Sequence, residues 1–148
     1  MLAVIRIKGS VGIKKEIRDT FKMLNLEKKN SCVIIPETPQ YLGMIKKIKD
    51  FSTWGTISEE TLTELIKKRA RTNDNERITE EFLKKNKMKI EDMAKKIKEG
   101  KIKELEIKPY FRLSPPSKGF KGSTKHHYPS GALGDRKEKI NELLKRMI

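Results

Sequence analysis

Over its first 57 residues the chain switches repeatedly between two hydrophobic periods, and no other property restricts its fold as much. Residues 2–8 alternate, with Ala3, Ile5 and Ile7 on one face and Val4, Arg6 and Lys8 on the other, which is the two-residue period of a strand. On this pattern the strand carries a basic outer face. Gly9-Ser10-Val11-Gly12 turns the chain. Ile13, Ile17, Phe21 and Leu24 then recur at helical spacing, leaving Lys14, Lys15, Arg18 and Lys22 outward. Residues 31–35 are rich in β-formers and are stopped by Pro36. Thr38-Pro39 pairs a hydroxyl N-cap with proline at the first helical position, and Tyr41, Met44, Ile45 and Ile48 supply that helix's buried stripe. Residues 53–57 (TWGTI) return to a strand pattern. The order is βαβαβ, which predicts an α+β chain with a small sheet and helices packed on it.

Beyond residue 57 the period becomes helical. Ser58 caps a helix whose first turn holds Glu59 and Glu60, where carboxylates suit the dipole, and Leu62, Leu65, Ile66 and Arg69 follow. Further helical segments are expected near residues 79–86 and 90–98, ending at Gly100. At the far end, Asp135 to Glu138 resembles a capping box, and Ile140, Leu143, Leu144 and Met147 form an apolar stripe that should dock on the fold. The expected organisation is a core over 1–57, a helical extension over 58–107, and a basic loop with a docking helix over 108–148.

The formal net charge is +15 on 148 residues, with a pI near 9.9. It divides as +6 over residues 1–57, +2 over 58–107 and +7 over 108–148, so contacts with an anionic partner belong to the two ends. A membrane partner is disfavoured: no apolar run approaches the roughly 18 residues of a span, and Arg6 interrupts any signal-peptide core. Cys32 is the single cysteine, which excludes an intrachain disulfide and fits a reducing compartment. A soluble cytosolic protein is the expectation.

Residues 108–134 contain no carboxylate. They hold Lys108, Arg112, Lys118, Lys121 and Lys125, both histidines (His126 and His127), and Tyr110, Phe111, Phe120 and Tyr128. Four of the six prolines and four of the nine glycines also fall here, so the tract cannot bury much of a core of its own. Cations attract a phosphate backbone, aromatic faces suit unpaired bases, and glycine lets backbone approach closely. Packed elements bound the tract on both sides, which marks a loop with a task rather than a disordered tail. RNA is the leading partner, and the loop is expected to gain its order on that partner.

Other motifs carry less. Residues 119–124 (GFKGST) lack the Gly-Lys-Ser/Thr order of a phosphate loop and no helix follows directly. Residues 9–12 could hold a phosphate at a helix start; alone they read as a tight turn. His126-His127 has no companion ligands for zinc, and Cys32 in an apolar strand reads as a small core residue. Ser and Thr residues have no evident base, and the carboxylates of 58–107 look like solvated helix faces. No catalytic cluster, metal, cofactor or small-molecule substrate is called for. Phe111 reads as a core anchor, and Phe120 is balanced between core and base stacking.

Two blocks carry a family resemblance. Residues 4–51 (VIRIKGSVGIKKEIRDTF through GMIKKIKDF) and residues 112–147 (RLSPPSKGFKGSTKHHYPSGALGDRKEKINELLKRM) resemble the universal large-subunit ribosomal protein number thirty in its archaeal form, whose eukaryotic counterpart is large-subunit protein number seven. The second block is typical of archaeal and eukaryotic members, and Gly131-Ala132-Leu133-Gly134 leading to Lys139-Ile140-Asn141 is its most specific piece. The resemblance implies a three-stranded core related to ferredoxin-like folds and a non-catalytic role on large-subunit (23S) rRNA. With it come neighbouring large-subunit proteins, 5S rRNA nearby, and a place in the cytoplasmic ribosome.

On that footing Lys8, Lys14, Lys15 and Arg18 should meet phosphates at the first turn and helix. Lys28, Lys29 and Asn30, with Thr38 and Lys46-Lys47, form a second contact. Arg112, Lys118, Lys121, Lys125 and the His126-His127-Tyr128 corner thread between RNA segments. Two other classes compete: a non-ribosomal RNA-processing subunit or RNA chaperone, which would partition away from ribosomes, and an enzyme acting on RNA, which would need a catalytic cluster.

Overall fold

A computed structural model of the chain describes residues 1–78, 90–98, 105 and 107–148. The first half follows the pattern of its sequence: β1 (Leu2–Arg6), α1 (Lys15–Met23), β2 (Ser31–Ile35), α2 (Pro39–Lys47) and β3 (Ser52–Thr56). β1 is central and antiparallel to both neighbours, with Val4 opposite Val33 on one side and Trp54 on the other. β2 and β3 therefore run parallel to each other, and α2 carries the chain over β1 between them. This is the split βαβ arrangement of a ferredoxin-like core. Both predicted caps form: the Thr38 hydroxyl accepts the Tyr41 N–H at 3.5 Å, and the Ser58 hydroxyl accepts the Thr61 N–H at 3.3 Å.

α3 (Glu59–Arg69), α4 (Ile90–Lys98) and α5 (Ile140–Met147) cover the face of the sheet opposite α1 and α2. The expected helix near 79–86 lies outside the described residues. Ala3 and Ile5 enter the core with α3, α4 and α5, while Leu2 and Val4 enter the core with Phe21, Ile45 and Ile48. β1 is thus buried on both faces. The basic outer face expected for it is corrected: Arg6 is 3% exposed, because a central strand covered by helices on each side has no outer face.

The larger correction concerns residues 108–134. They contribute three strands, β4 (Phe111–Arg112), β5 (Ser123–His127) and most of β6 (Gly131–Asp135), and widen the sheet to the order β4-β2-β1-β3-β6-β5. β4 pairs with β2 at Cys32–Phe111, and β6 pairs parallel with β3 at Thr53–Gly134. β5 flanks β6 with a shifted register at the open edge. The tract has no core of its own, yet it fills the common one: Phe111, Leu113, Ala132 and Leu133 are all buried. Phe120 packs, half-buried, against two of the apolar clusters.

α5 docks as its stripe predicts. Ile140, Leu143, Leu144 and Met147 are each at most 3% exposed, and each such side chain contributes roughly 1.5–3 kcal/mol of transfer free energy. Its start differs from a reciprocal capping box: Asp135 accepts the Lys137 N–H at 2.9 Å, and a 3-10 turn over Lys137–Lys139 leads into the helix. Gly55 on β3 makes that approach possible, since a Cβ there would lie 2.0 Å from the Lys137 carbonyl oxygen.

Candidate nucleic-acid interface

Sheet register gathers one group of basic residues. β1 ends where β2 and β3 begin, so the loops after Arg6, before Ser31 and before Ser52 meet at one end of the sheet. Arg6 binds two of these loops together. Its Nε donates to the Lys8 carbonyl at 2.9 Å, and Nη1 donates to Leu26 and Glu27 carbonyls at 2.8 and 2.6 Å. Nη2 donates to the Gly9 carbonyl at 3.0 Å and the Ser10 hydroxyl at 2.9 Å. The guanidinium also lies 4.1 Å over the Phe21 ring, and burial pulls its pKa below the ordinary arginine value. Five donors in a planar fork suit several fixed carbonyls at once, which an ammonium does not.

The loops so held carry the expected contact residues. Lys14, Lys15 and Arg18 are exposed at the start of α1, and Lys28 and Lys29 are exposed before β2. Lys8 is half-buried with its ammonium 5.5 Å from the Phe51 ring centre. Asn30 works mainly in the turn: at φ +60° its N–H donates to the Arg6 carbonyl and its own carbonyl accepts the Leu113 N–H. Thr38 is occupied by its cap, while Lys46 and Lys47 are exposed in the last turn of α2, where cations suit the dipole.

The carboxylate-free tract is split between opposite edges of the sheet. Arg112 lies exposed on β4, opposite Ser31 and beside the Lys28-Lys29 loop. Lys121, Lys125, His126 and His127 lie exposed on and before β5, at the other edge. Lys118 sits exposed in a turn at φ +61°. Arg112 and the Lys121–Tyr128 segment therefore stand apart, because β4 and β5 bound a six-stranded sheet. His127 Nε2 lies 2.9 Å from the Asp50 carboxylate and ties β5 to the connection before β3. Tyr128 is half-buried under the Arg136 guanidinium, 5.1 Å from its ring centre.

Residue spacing had pointed to no role for the remaining arginines. Arg69 donates to the Ile148 carbonyl and the Ser114 hydroxyl, joining α3 to the C-terminal end and the tract. Arg136 donates through Nε to the Thr53 hydroxyl at 3.1 Å and through Nη2 to the Ala132 carbonyl at 3.0 Å. Arg146 donates to the carbonyls of Ser117 and Gly119. A signal for Arg136, Lys137 and Lys139 did exist. They are cations directly ahead of the N-terminus of α5, where the dipole favours anions, an arrangement that needs another reason.

A split βαβ sheet, helices on both faces and a rim of exposed lysines define a basic α+β protein that presents cations on a fixed frame. The family model described as ribosomal protein L30p/L7e matches residues 2–51. Over 153 residues the chain is 48% identical to large ribosomal subunit protein uL30 of Nanoarchaeum equitans, covering 100% of this chain and 99% of that one. It is 49% identical over 151 residues to uL30 of Methanococcus maripaludis, and 45% identical over 152 residues to uL30 of Archaeoglobus fulgidus. Those alignments cover 99% of this chain and, respectively, 98% and 99% of the relative. The chain belongs to the ribosomal protein L30p/L7e family. The resemblance seen in residues 4–51 and 112–147 extends over the whole sequence.

Proposed function

We propose that this chain is a structural constituent of the large ribosomal subunit, located in the cytoplasmic ribosome, where it binds large-subunit (23S) rRNA without catalysing a reaction. 5S rRNA and neighbouring large-subunit proteins lie nearby in this reading. The observation that carries it is a set of exposed cations left unpaired by the protein itself. Among the described residues, Lys14, Lys15, Lys28, Lys29, Lys118, Lys121 and Lys125 have no carboxylate within ion-pair distance. Such groups keep their attraction for phosphates, and each contact releases counterions on binding. Arg6 and the sheet register hold the first four in two adjoining loops, and the β5 edge presents Lys121 and Lys125. Arg112, His126, His127 and Tyr128 complete the two contact regions, one at the loop end of β1 and one at the β5 edge.

Sucrose-gradient sedimentation of a native lysate tests the reading. The protein should travel with the large subunit through moderate salt. Replacing Lys118, Lys121 and Lys125 together by Ala should release it at lower salt, reducing the slope of log K against log salt by about 2–3 for three phosphate contacts. Protein that stays at the top of the gradient at every salt concentration refutes the ribosomal assignment and favours a free RNA-processing or chaperone role.

A further inference from the structure

We infer that the cleft between the Tyr128 corner and α5 is a built site for a single phosphate of an RNA backbone, gripped by Arg136 and Arg146. This rests on the rRNA-binding reading above and gives it a defined position away from the lysine-bearing loops at the end of β1. The cleft, of about 190 Å³, is lined by four cations, Lys121, Arg136, Lys139 and Arg146, with Tyr128 on one wall and Glu142 as its one carboxylate. Arg136 is 8% exposed. Two of its nitrogens are used internally, by Thr53 and Ala132, and Nη1 has no acceptor among the described residues.

Arg146 repeats the pattern. Nε and Nη2 are held by the Ser117 and Gly119 carbonyls, and Nη1 is left without an acceptor among the described residues. Neither Nη1 is sealed from solvent, so both remain available to a ligand. Each guanidinium is thereby oriented by internal acceptors and keeps a donor for something outside the protein. None of the four cations has an ion-pair partner among the described residues, Glu142 included. The Arg136 pKa is lowered, chiefly by burial; Tyr128 opposes the shift and Arg146 adds to it, as expected of like charges facing one space. Clustered cations with oriented free donors, facing a single unpaired carboxylate, suit a phosphate, which guanidinium groups bind with charge-assisted hydrogen bonds.

The test uses the full chain with two probes, a transcript of large-subunit rRNA and inorganic phosphate. Salt dependence of transcript binding is measured for Lys121→Ala/Lys139→Ala, for the remote pair Lys67→Ala/Lys95→Ala, and for Glu142→Gln. The Arg136 Nε–H resonance is followed by NMR. The site predicts a slope lower by about 1 for the first variant and unchanged for the second. Removing the carboxylate should tighten binding about two- to fivefold. The Arg136 resonance should move with transcript in the parent protein and not in Lys121→Ala/Lys139→Ala. An unchanged slope in that variant, with the parent binding normally, overturns the cleft and leaves the rRNA reading standing. A resonance that responds to inorganic phosphate and not to transcript overturns RNA as the source of the anion. A parent protein that binds no transcript overturns both readings together.

Discussion

Replacing Arg6 by methionine keeps an aliphatic stem in the core and deletes five hydrogen bonds to the loops at the end of β1. The loss weighs differently on each acceptor. The Leu26 carbonyl bond is buried, and leaving that oxygen unpaired costs about 1–3 kcal/mol. The other four bonds are part-buried, so water can replace much of what is lost there. Loss of the guanidinium from above the Phe21 ring adds up to about 2 kcal/mol for a desolvated pair. Relief of the desolvation that lowers the Arg6 pKa acts in the opposite direction. The net expectation is about 2–4 kcal/mol, a large share of the roughly 5–15 kcal/mol that holds a domain together. For a chain of this size that is a fall in Tm of roughly 10 °C.

Thermal unfolding followed by circular dichroism, with urea titration for the free energy, measures this directly. Arg6→Lys separates charge from geometry: it keeps a cation and lacks the planar fork, so it should recover about half the loss or less. At 25 °C the Arg6→Met protein should remain folded yet bind rRNA less tightly, because the loops bearing Lys14, Lys15, Lys28 and Lys29 lose their common tie. A Tm within 2 °C of the parent for Arg6→Met, or a parent-like Tm for Arg6→Lys, refutes the clamp.

The packing makes two further outcomes testable. Gly55→Ala should destabilise by about 3 kcal/mol in urea titration, because the new methyl meets the Lys137 carbonyl oxygen at 2.0 Å and the Ile140 Cβ at 2.9 Å. A mild effect would mean that α5 docks more loosely than these contacts require. Cys32 is fully buried and its thiol pKa is pushed well up by desolvation, so very little of it ionises at neutral pH. Native protein should resist iodoacetamide over hours and react once urea unfolds it, with mass spectrometry as the readout; rapid native alkylation at pH 7–8 would contradict the burial.

The chemistry of short range was legible in the sequence. Two-residue alternation, the Thr38 and Ser58 caps and the 140/143/144/147 stripe each depend on a few neighbouring residues, and each forms in the fold. Family membership was legible too, because it rests on residue order. β4, β5 and β6 were hidden, since their pairing depends on partners remote in sequence: Thr53 meets Gly134, and Cys32 meets Phe111. A Gly-Ala-Leu-Gly segment has little strand preference of its own, and only β3 already in place makes it one.

The same distinction governs the charges. Composition alone established that the chain is strongly basic and which segments carry the excess. It could not separate Arg6, Arg69, Arg136 and Arg146, drawn inward to backbone carbonyls, from lysines facing solvent. Nor could it place Arg112 and Lys121 at opposite edges of one sheet. A side chain's charge and reach are intrinsic to its residue type, but its available acceptors and its distance from water exist only once distant strands have met.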